Sequence, residues 1–386
     1  MIDKNKMPLA VGIAFVAFTS QFGGGYASGV QIYQYFVNFG IWALIMPILS
    51  QLLLSLFFWY GMRYAYRNHT YDYRSFSDSF YGKFRKVFSN LYELVYLMLI
   101  CLAPAVAFAT GGATLNMLTG IPYLLCTLFI GAVILVIALF GTDFVRKAAS
   151  TLSVLIIAGL IAVIVPNVIA QWGTIVSSLG KMTTGAVPVG SHENGSFLTA
   201  LWGSVVYFLF HLASVGTMYQ HVREATDEKQ LSRSMVYAFW VNSFCMMLMV
   251  FGMLAIAFHP ALKNASVPIL LLVQTGVGAK VLTPVISILI LLGAVSTSVN
   301  MISGMVARAV GGLERREADV ELSKKKRLPR NAAVALAFTV LSFAIAQFGL
   351  IPLVSKGYAY LGYATLVVVA VPFVVHALGT HRKARA

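Results

Sequence analysis

Three short stretches of this 386-residue chain hold residue types that could bind a ligand within apolar surroundings. The first is Gly23-Gly24-Gly25-Tyr26-Ala27-Ser28-Gly29, in the middle of an apolar segment running from Met7 to Gly40. Glycine costs about 1 kcal/mol relative to alanine at each helix position, so three in a row favour unwinding. Unwound backbone offers carbonyl oxygens and N–H groups to a ligand without any charged side chain. Small residues such as Gly25 and Gly29 can also serve close helix packing, but that needs one face, whereas this run occupies every face. The second stretch is His211-Leu212-Ala213-Ser214-Val215-Gly216. An imidazole at the middle of an apolar segment needs a partner, either a ligand or proton, or a neighbouring carbonyl. The third is Gly293-Ala294-Val295-Ser296-Thr297-Ser298, with three consecutive hydroxyls. Such oxygens suit an alkali cation, although helical hydroxyls also bond back to their own carbonyls.

Missing groups narrow the chemistry further. The sequence contains no G-x-S-x-G, H-E-x-x-H or P-loop pattern and no Cys/His cluster at metal-ligand spacing. An enzyme is therefore not expected, and no resident cofactor. Glu93 lies near the end of an apolar segment, and no acid lies at the middle of one, so a carboxylate proton relay has little support. Cys101, Cys126 and Cys245 all fall in apolar runs and read as packing thiols.

The elements that position these stretches follow from composition. Hydrophobic residues make up 59% of the chain, charged residues only 11%, and mean hydropathy is +0.81. Soluble domains carry about 25% charged residues, so this is an all-α integral membrane protein. Charge-free intervals 7–62 and 94–142 are each long enough for two spans. Intervals 148–180, 194–222, 234–262, 281–307, 331–355 and 357–381 hold one each, making ten. Interval 264–279 is short and contains Pro268, which predicts a re-entrant or surface helix. With ten spans, 24 basic residues fall in one set of alternating loops and 4 in the other. The positive-inside rule then places both termini in the cytoplasm of a multi-pass cell-membrane protein. The net charge of +15 is thus topological, and no nucleic-acid partner is implied.

Smaller features complete the pass. Residues 1–29 have the outline of a signal peptide, but the apolar segment continues into a second helix without a polar start. The sequon at Asn194 reads as a turn beside Gly190 and Gly195. Phe76, Phe80 and Phe84 recur at i, i+4 beside Lys83, Arg85 and Lys86, predicting an interfacial helix with its aromatic face in the headgroups. The segment 314–327 reads as a charged cytoplasmic loop.

Spans 1–5 occupy about 8–170 and spans 6–10 about 197–379, within one transmembrane domain. Five is odd, so the second half starts on the opposite side from the first, as an inverted repeat. Broken first helices in both halves point to a central site of the kind found in transporters.

The run Gly23 to Gly29, followed by Gln31-Ile32 and Tyr35-Phe36, resembles the G-A-G-F-A-S-G-Q-E signature of YkvI-like membrane proteins. That group belongs to the amino acid–polyamine–organocation superfamily, with the LeuT fold of five-plus-five inverted repeats. The match departs at Val30 and Gln31, where the pattern has Gln and Glu. The resemblance implies a Na⁺ site formed by carbonyls of Thr19, Phe22 and Gly293 with the hydroxyls of Ser296 and Thr297. It further implies a substrate lying against Gly23, Gly24, Gly25, Tyr26, Ala27 and Ser28 on one side. Tyr207, Phe210, His211 and Ser214 would face it from the other.

The expectation is a secondary active transporter working by alternating access, Na⁺-coupled, for a small amino acid or related amine. Half-helix N-termini suit a carboxylate and exposed carbonyls an ammonium, so a zwitterion fits without charged side chains. The alternatives are an uncoupled channel or facilitator, and a non-transporting sensor or scaffold.

Overall fold

A computed structural model describes residues 8–140, 142–191, 195–314 and 320–383, and every regular element in them is helical. The first apolar segment forms α1 (Leu9–Gln21), stops, resumes as α2 (Gly24–Ala27), turns at Gly29 and continues as α3 (Val30–Tyr35). A 3₁₀ stretch, Val37–Leu44, then bends by 77° into α4 (Met46–Asn68). A short helix, α5 (Tyr73–Phe80), is started by Asp72, whose carboxylate accepts from the N–H groups of Arg74 and Ser75. Next come α6 (Arg85–Thr119), α7 (Tyr123–Phe140) and α8 (Thr142–Ala170), the last bending by 74° into α9 (Trp172–Thr183).

The later elements begin with α10 (Phe197–Leu212), a 3₁₀ turn at Ala213–Thr217, α11 (Tyr219–Val222) and α12 (Glu228–Ile256). They continue through α13 (Pro268–Thr275), α14 (Ala279–Glu314) and α15 (Val320–Ala346). The final segment runs through α16 (Leu350–Pro352), a π turn at Leu353–Gly357 and α17 (Tyr358–Thr365). A second π turn, Leu366–Ala370, leads into α18 (Val371–Lys383).

Among the described residues, seven helices are long and apolar enough to cross a bilayer, and the two bent pairs bring the number to nine. The tenth expected span is the first, whose opening helix has only 13 residues because the glycine run cuts it. The span-6 discontinuity is gentler: the α-helix ends at Leu212 and tightens to a 3₁₀ turn, with both flanking residues still in right-handed helical conformation.

Small side chains let α6 occupy the centre. Every residue from Ala103 to Thr114 is buried, and most are Ala, Gly or Thr, so neighbouring backbones approach closely. An added Cβ at Gly112 would meet Thr127 of α7 at 2.9 Å. The π turns of the last span each release a carbonyl that a distant tyrosine takes up. Tyr35 Oη donates to Val354 O at 2.8 Å, and Tyr81 Oη to Val368 O at 2.6 Å.

Three expectations need correction in whole or in part. Of the two readings of 264–279, re-entrant or surface helix, the surface one is excluded: Pro268 to Val273 of α13 are all buried in the protein. The aromatic face of α5 does not lie in headgroups. Phe76 is 2% exposed, stacked on Tyr219 at 4.0 Å, and Phe80 packs on Phe373 at 4.9 Å, whereas Phe84 is 70% exposed. Protein partners win because the Tyr219 and Phe373 rings stand within stacking distance of these two side chains. The charged loop at 314–327 is shorter than expected, since α15 starts at Val320; its residues 315–319 and the sequon's Asn194 lie outside the described residues.

This packing separates Phe76 from Phe84. Phe76→Ala is expected to destabilise the protein by about 3–5 kcal/mol through cavity formation, while Phe84→Ala stays within about 0.5 kcal/mol. Denaturant unfolding in detergent measures both.

Candidate functional site

The site grows out of the way α1 ends. Phe22 N still donates to Phe18 O at 3.0 Å, but Gly23 N turns back to Gln21 O at 2.9 Å. Gly23 is extended, at φ −99° and ψ −175°. The carbonyls of Thr19, Ser20 and Phe22 consequently receive no main-chain hydrogen bond among the described residues. A second turn follows at Gly29, whose φ of +82° is the left-handed conformation that favours glycine. There Ser28 O accepts from Ile269 N of α13 at 3.1 Å, so the buried helix from the span 7–8 connection pairs directly with the interrupted backbone.

Helix α14 passes beside the first interruption. A Cβ built on Gly23 would lie 4.0 Å from both Oγ1 and Cγ2 of Thr297, and one on Gly293 would lie 3.2 Å from the Phe22 ring. Of the sequence-predicted cation set, Thr297 thus lies beside the break at Gly23 and Gly293 lies beside the Phe22 ring, with Ser296 the residue preceding Thr297 on the same helix. Back-bonding does not occupy these hydroxyls. Ser298 Oγ is buried without a partner, and Ser296 and Thr297 form no hydrogen bond among the described residues. By contrast, Ser287 on the same helix donates to Thr283 O at 2.7 Å. The Thr19 hydroxyl is used locally, on Phe15 O and Val16 O, which leaves its carbonyl as the available oxygen.

Gly24 and Gly25 serve a different purpose from Gly23. A Cβ on Gly24 would come within 2.5 Å of Thr110 Oγ1 and 3.2 Å of Ala107 Cα on α6. One on Gly25 would meet Gln31 Nε2 at 2.8 Å and Val354 Cγ2 at 3.1 Å. Both are close-packing glycines, so the run combines a break at Gly23 with tight contact after it. Tyr26, Ala27 and Ser28 are buried alongside, and the Ser28 hydroxyl donates to Gly25 O at 3.0 Å.

From the second half, Tyr207 is fully buried against Phe36, with ring centroids 4.9 Å apart, and its hydroxyl has no partner. His211 packs on Tyr207 at 4.6 Å and its buried Nε2 is unpartnered, so no carbonyl satisfies that nitrogen. Phe210 instead stacks on Tyr358 at 4.7 Å and contacts Tyr35 at 5.2 Å, in the seam between spans 1, 6 and 10. The Ser214 hydroxyl is taken by His211 O at 2.7 Å. Two of the four span-6 candidates thus hold unclaimed polar atoms.

Sequence reasoning missed the amide pair Gln21 and Gln51. Gln51 Nε2 donates to Gln21 Oε1 at 2.8 Å and approaches Met246 Sδ at 3.0 Å, joining α1, α4 and α12 just before the break. Asn242 is one helical turn from Met246. The oxygens Gln31 Oε1, Gln51 Oε1 and Asn242 Oδ1 are buried and accept nothing. Scanning for acids at mid-span overlooks Gln21 and Gln51; scanning for any amide there would have found both. A separate cavity of about 580 Å³ lies off the break, lined by Gln34, Asn38, Trp202, Ser355 and Tyr363 at the ends of spans 1, 6 and 10.

No protein-family model matches this chain, and no curated protein does. Solved structures share its fold. One is a substrate-bound, outward-open Na⁺-coupled sialic acid symporter, with TM-score 0.59 and 12% identity over 89% of this chain and 74% of that one. Another is the Eremococcus coleocola manganese transporter in complex with an aromatic bis-isothiourea substituted compound, with TM-score 0.51 and 13% identity over 95% and 85% of the two chains. At these identities the likeness establishes the LeuT-like, all-helical membrane fold.

The two kinds of glycine make opposite demands. Gly24→Ala should lower stability by about 1–3 kcal/mol through overpacking against α6. Gly23→Ala has room for its methyl and an allowed backbone, so it should stay within about 0.5 kcal/mol. Unfolding in detergent without ligand distinguishes them.

Proposed function

We propose that the chain is a secondary active transporter of a small amino acid or related amine, coupled to Na⁺ and working by alternating access. The observation that carries this is the meeting of Thr297 with the break at Gly23, where backbone carbonyls lack main-chain donors among the described residues. Oxygens from Thr19, Phe22 and Gly293 carbonyls and from Ser296 and Thr297 hydroxyls make a hard, uncharged donor set that fits Na⁺. The substrate lies across Gly23 to Ser28, with Tyr207 and His211 opposite. Acceptors at Gln31, Gln51 and Asn242 favour an ammonium group. Membership of the YkvI-like group, inverted halves at about 8–170 and 197–379, a cell-membrane location and cytoplasmic termini belong to the same proposal.

A divalent-metal cargo fits this chain less well. Among the described residues, no three His, Cys, Asp or Glu side chains gather, and a divalent ion without anionic ligands would be poorly compensated. A facilitator would lack trans-acceleration in substrate counterflow, which a carrier shows.

A thermal-shift screen of amino acids and amines, each in Na⁺ and in K⁺, identifies a ligand; saturation at 100 times Kd adds about 2.7 kcal/mol of stability. Thr297→Val keeps shape and removes the oxygen. It and Ser296→Ala are expected to weaken the Na⁺ dependence of ligand binding at least about tenfold, or about 1.4 kcal/mol. His211→Ala should weaken ligand binding more than it weakens the fold. Wild-type binding that ignores Na⁺ but follows pH would replace sodium with proton coupling, with His211 as the group to test.

A further inference from the structure

A different surface of the molecule carries an independent inference. Two apolar grooves flank the outer face of α4 and share Leu56 and Trp59. The larger, about 470 Å³, runs between α4 and α12 and is walled by Leu52, Val236 and Trp240. The smaller, about 260 Å³, runs between α4 and α18. Trp59 Nε1 donates to Ser232 Oγ at 3.0 Å, tying the two helices together where the larger groove ends.

At that level both walls change from apolar to basic. On α4, one turn beyond Trp59, the Arg63 guanidinium lies over the indole, 5.1 Å from its centroid, and Arg67 follows a turn later. On α12, Trp240 and Val236 continue into Arg233 and Lys229 along one exposed stripe at helical spacing. Glu228 is shared by both arginines, with Arg63 Nε at 2.7 Å and Arg67 Nε at 2.5 Å. One carboxylate cannot neutralise two guanidiniums, and Arg63 engages it through Nε alone.

We propose that this corner is a binding site for an anionic phospholipid, with one acyl chain in each groove and the headgroup phosphate among Arg63, Arg233 and Lys229. Apolar walls, then an indole, then surplus basic charge follow the sequence of a lipid from tail to headgroup. Charge complementarity selects an anionic over a zwitterionic headgroup, and the paired grooves select a diacyl lipid over a soluble phosphate.

The test uses detergent-purified, delipidated full-length protein titrated with phosphatidylglycerol or with phosphatidylcholine of the same chains. Phosphatidylglycerol should half-saturate the rise in melting temperature at a mole fraction at least about fivefold lower, the effect of roughly one basic residue near a membrane surface. The double variant Lys229→Gln, Arg233→Gln should lose that preference while melting normally in phosphatidylcholine, because both side chains are exposed. Trp240→Ala should weaken the response to both lipids. Equal stabilisation by the two lipids, preference retained in the double variant, or the same effect from glycerol 3-phosphate alone would overturn the site.

Discussion

Main-chain polar groups cannot be left bare in hydrocarbon, and this requirement organises the structure around residues 22–29. Each unpaired group there would cost several kcal/mol facing lipid, so interrupted backbone survives only when protein surrounds it. The chain meets the requirement unevenly. Ser28 O receives Ile269 N, and the carbonyls released by the π turns of the last span receive Tyr35 and Tyr81. The oxygens of Thr19 and Phe22 receive nothing from the main chain among the described residues. Among the described residues, the carbonyls released in the last span are given tyrosine partners, whereas beside the break at Gly23 the neighbour is Thr297 of α14.

Close approach is what lets so many elements reach one short stretch. The Ala, Gly and Thr surface of α6 lets α2 sit against it, with no space for even a methyl group at Gly24. The amides of Gln21 and Gln51 hold α1 to α4 at the level where helical order ends. Oxygens dominate this interior and acids are missing from the middle of the spans, so its polarity is that of an acceptor surface without fixed charge.

The fold was legible because two strong signals agreed: charge-free lengths, and the alternation of basic residues between loops. The break was legible at Gly23 because three consecutive glycines cannot be explained by one helix face. Hydroxyls at Ser296 and Thr297 were legible as types, but their distance from Gly23 depends on the path of α14, which no local pattern encodes. Gly24 and Gly25 were misread in part: helix-breaking and close packing use the same residue, and only the neighbours Thr110, Gln31 and Val354 tell them apart. Phe76 and Phe80 looked interfacial because an amphipathic helix presents the same pattern to lipid and to protein. Their true partners, Tyr219 and Phe373, are far away in sequence.

The hydrogen bond from Ile269 to Ser28 has a mechanical meaning. It fastens α13, inserted between α12 and α14, to the hinge-like turn at Gly29, while Met253 of α12 fills the space beneath that glycine. A shift of α2 at Ser28 must either carry α13 along or break that bond and leave a buried carbonyl bare. The connection between spans 7 and 8 is thereby tied to the turn in the middle of the first apolar segment. Residues such as Val277 and Lys280, at the solvent end of this linkage, would register a rearrangement that begins deep in the bundle.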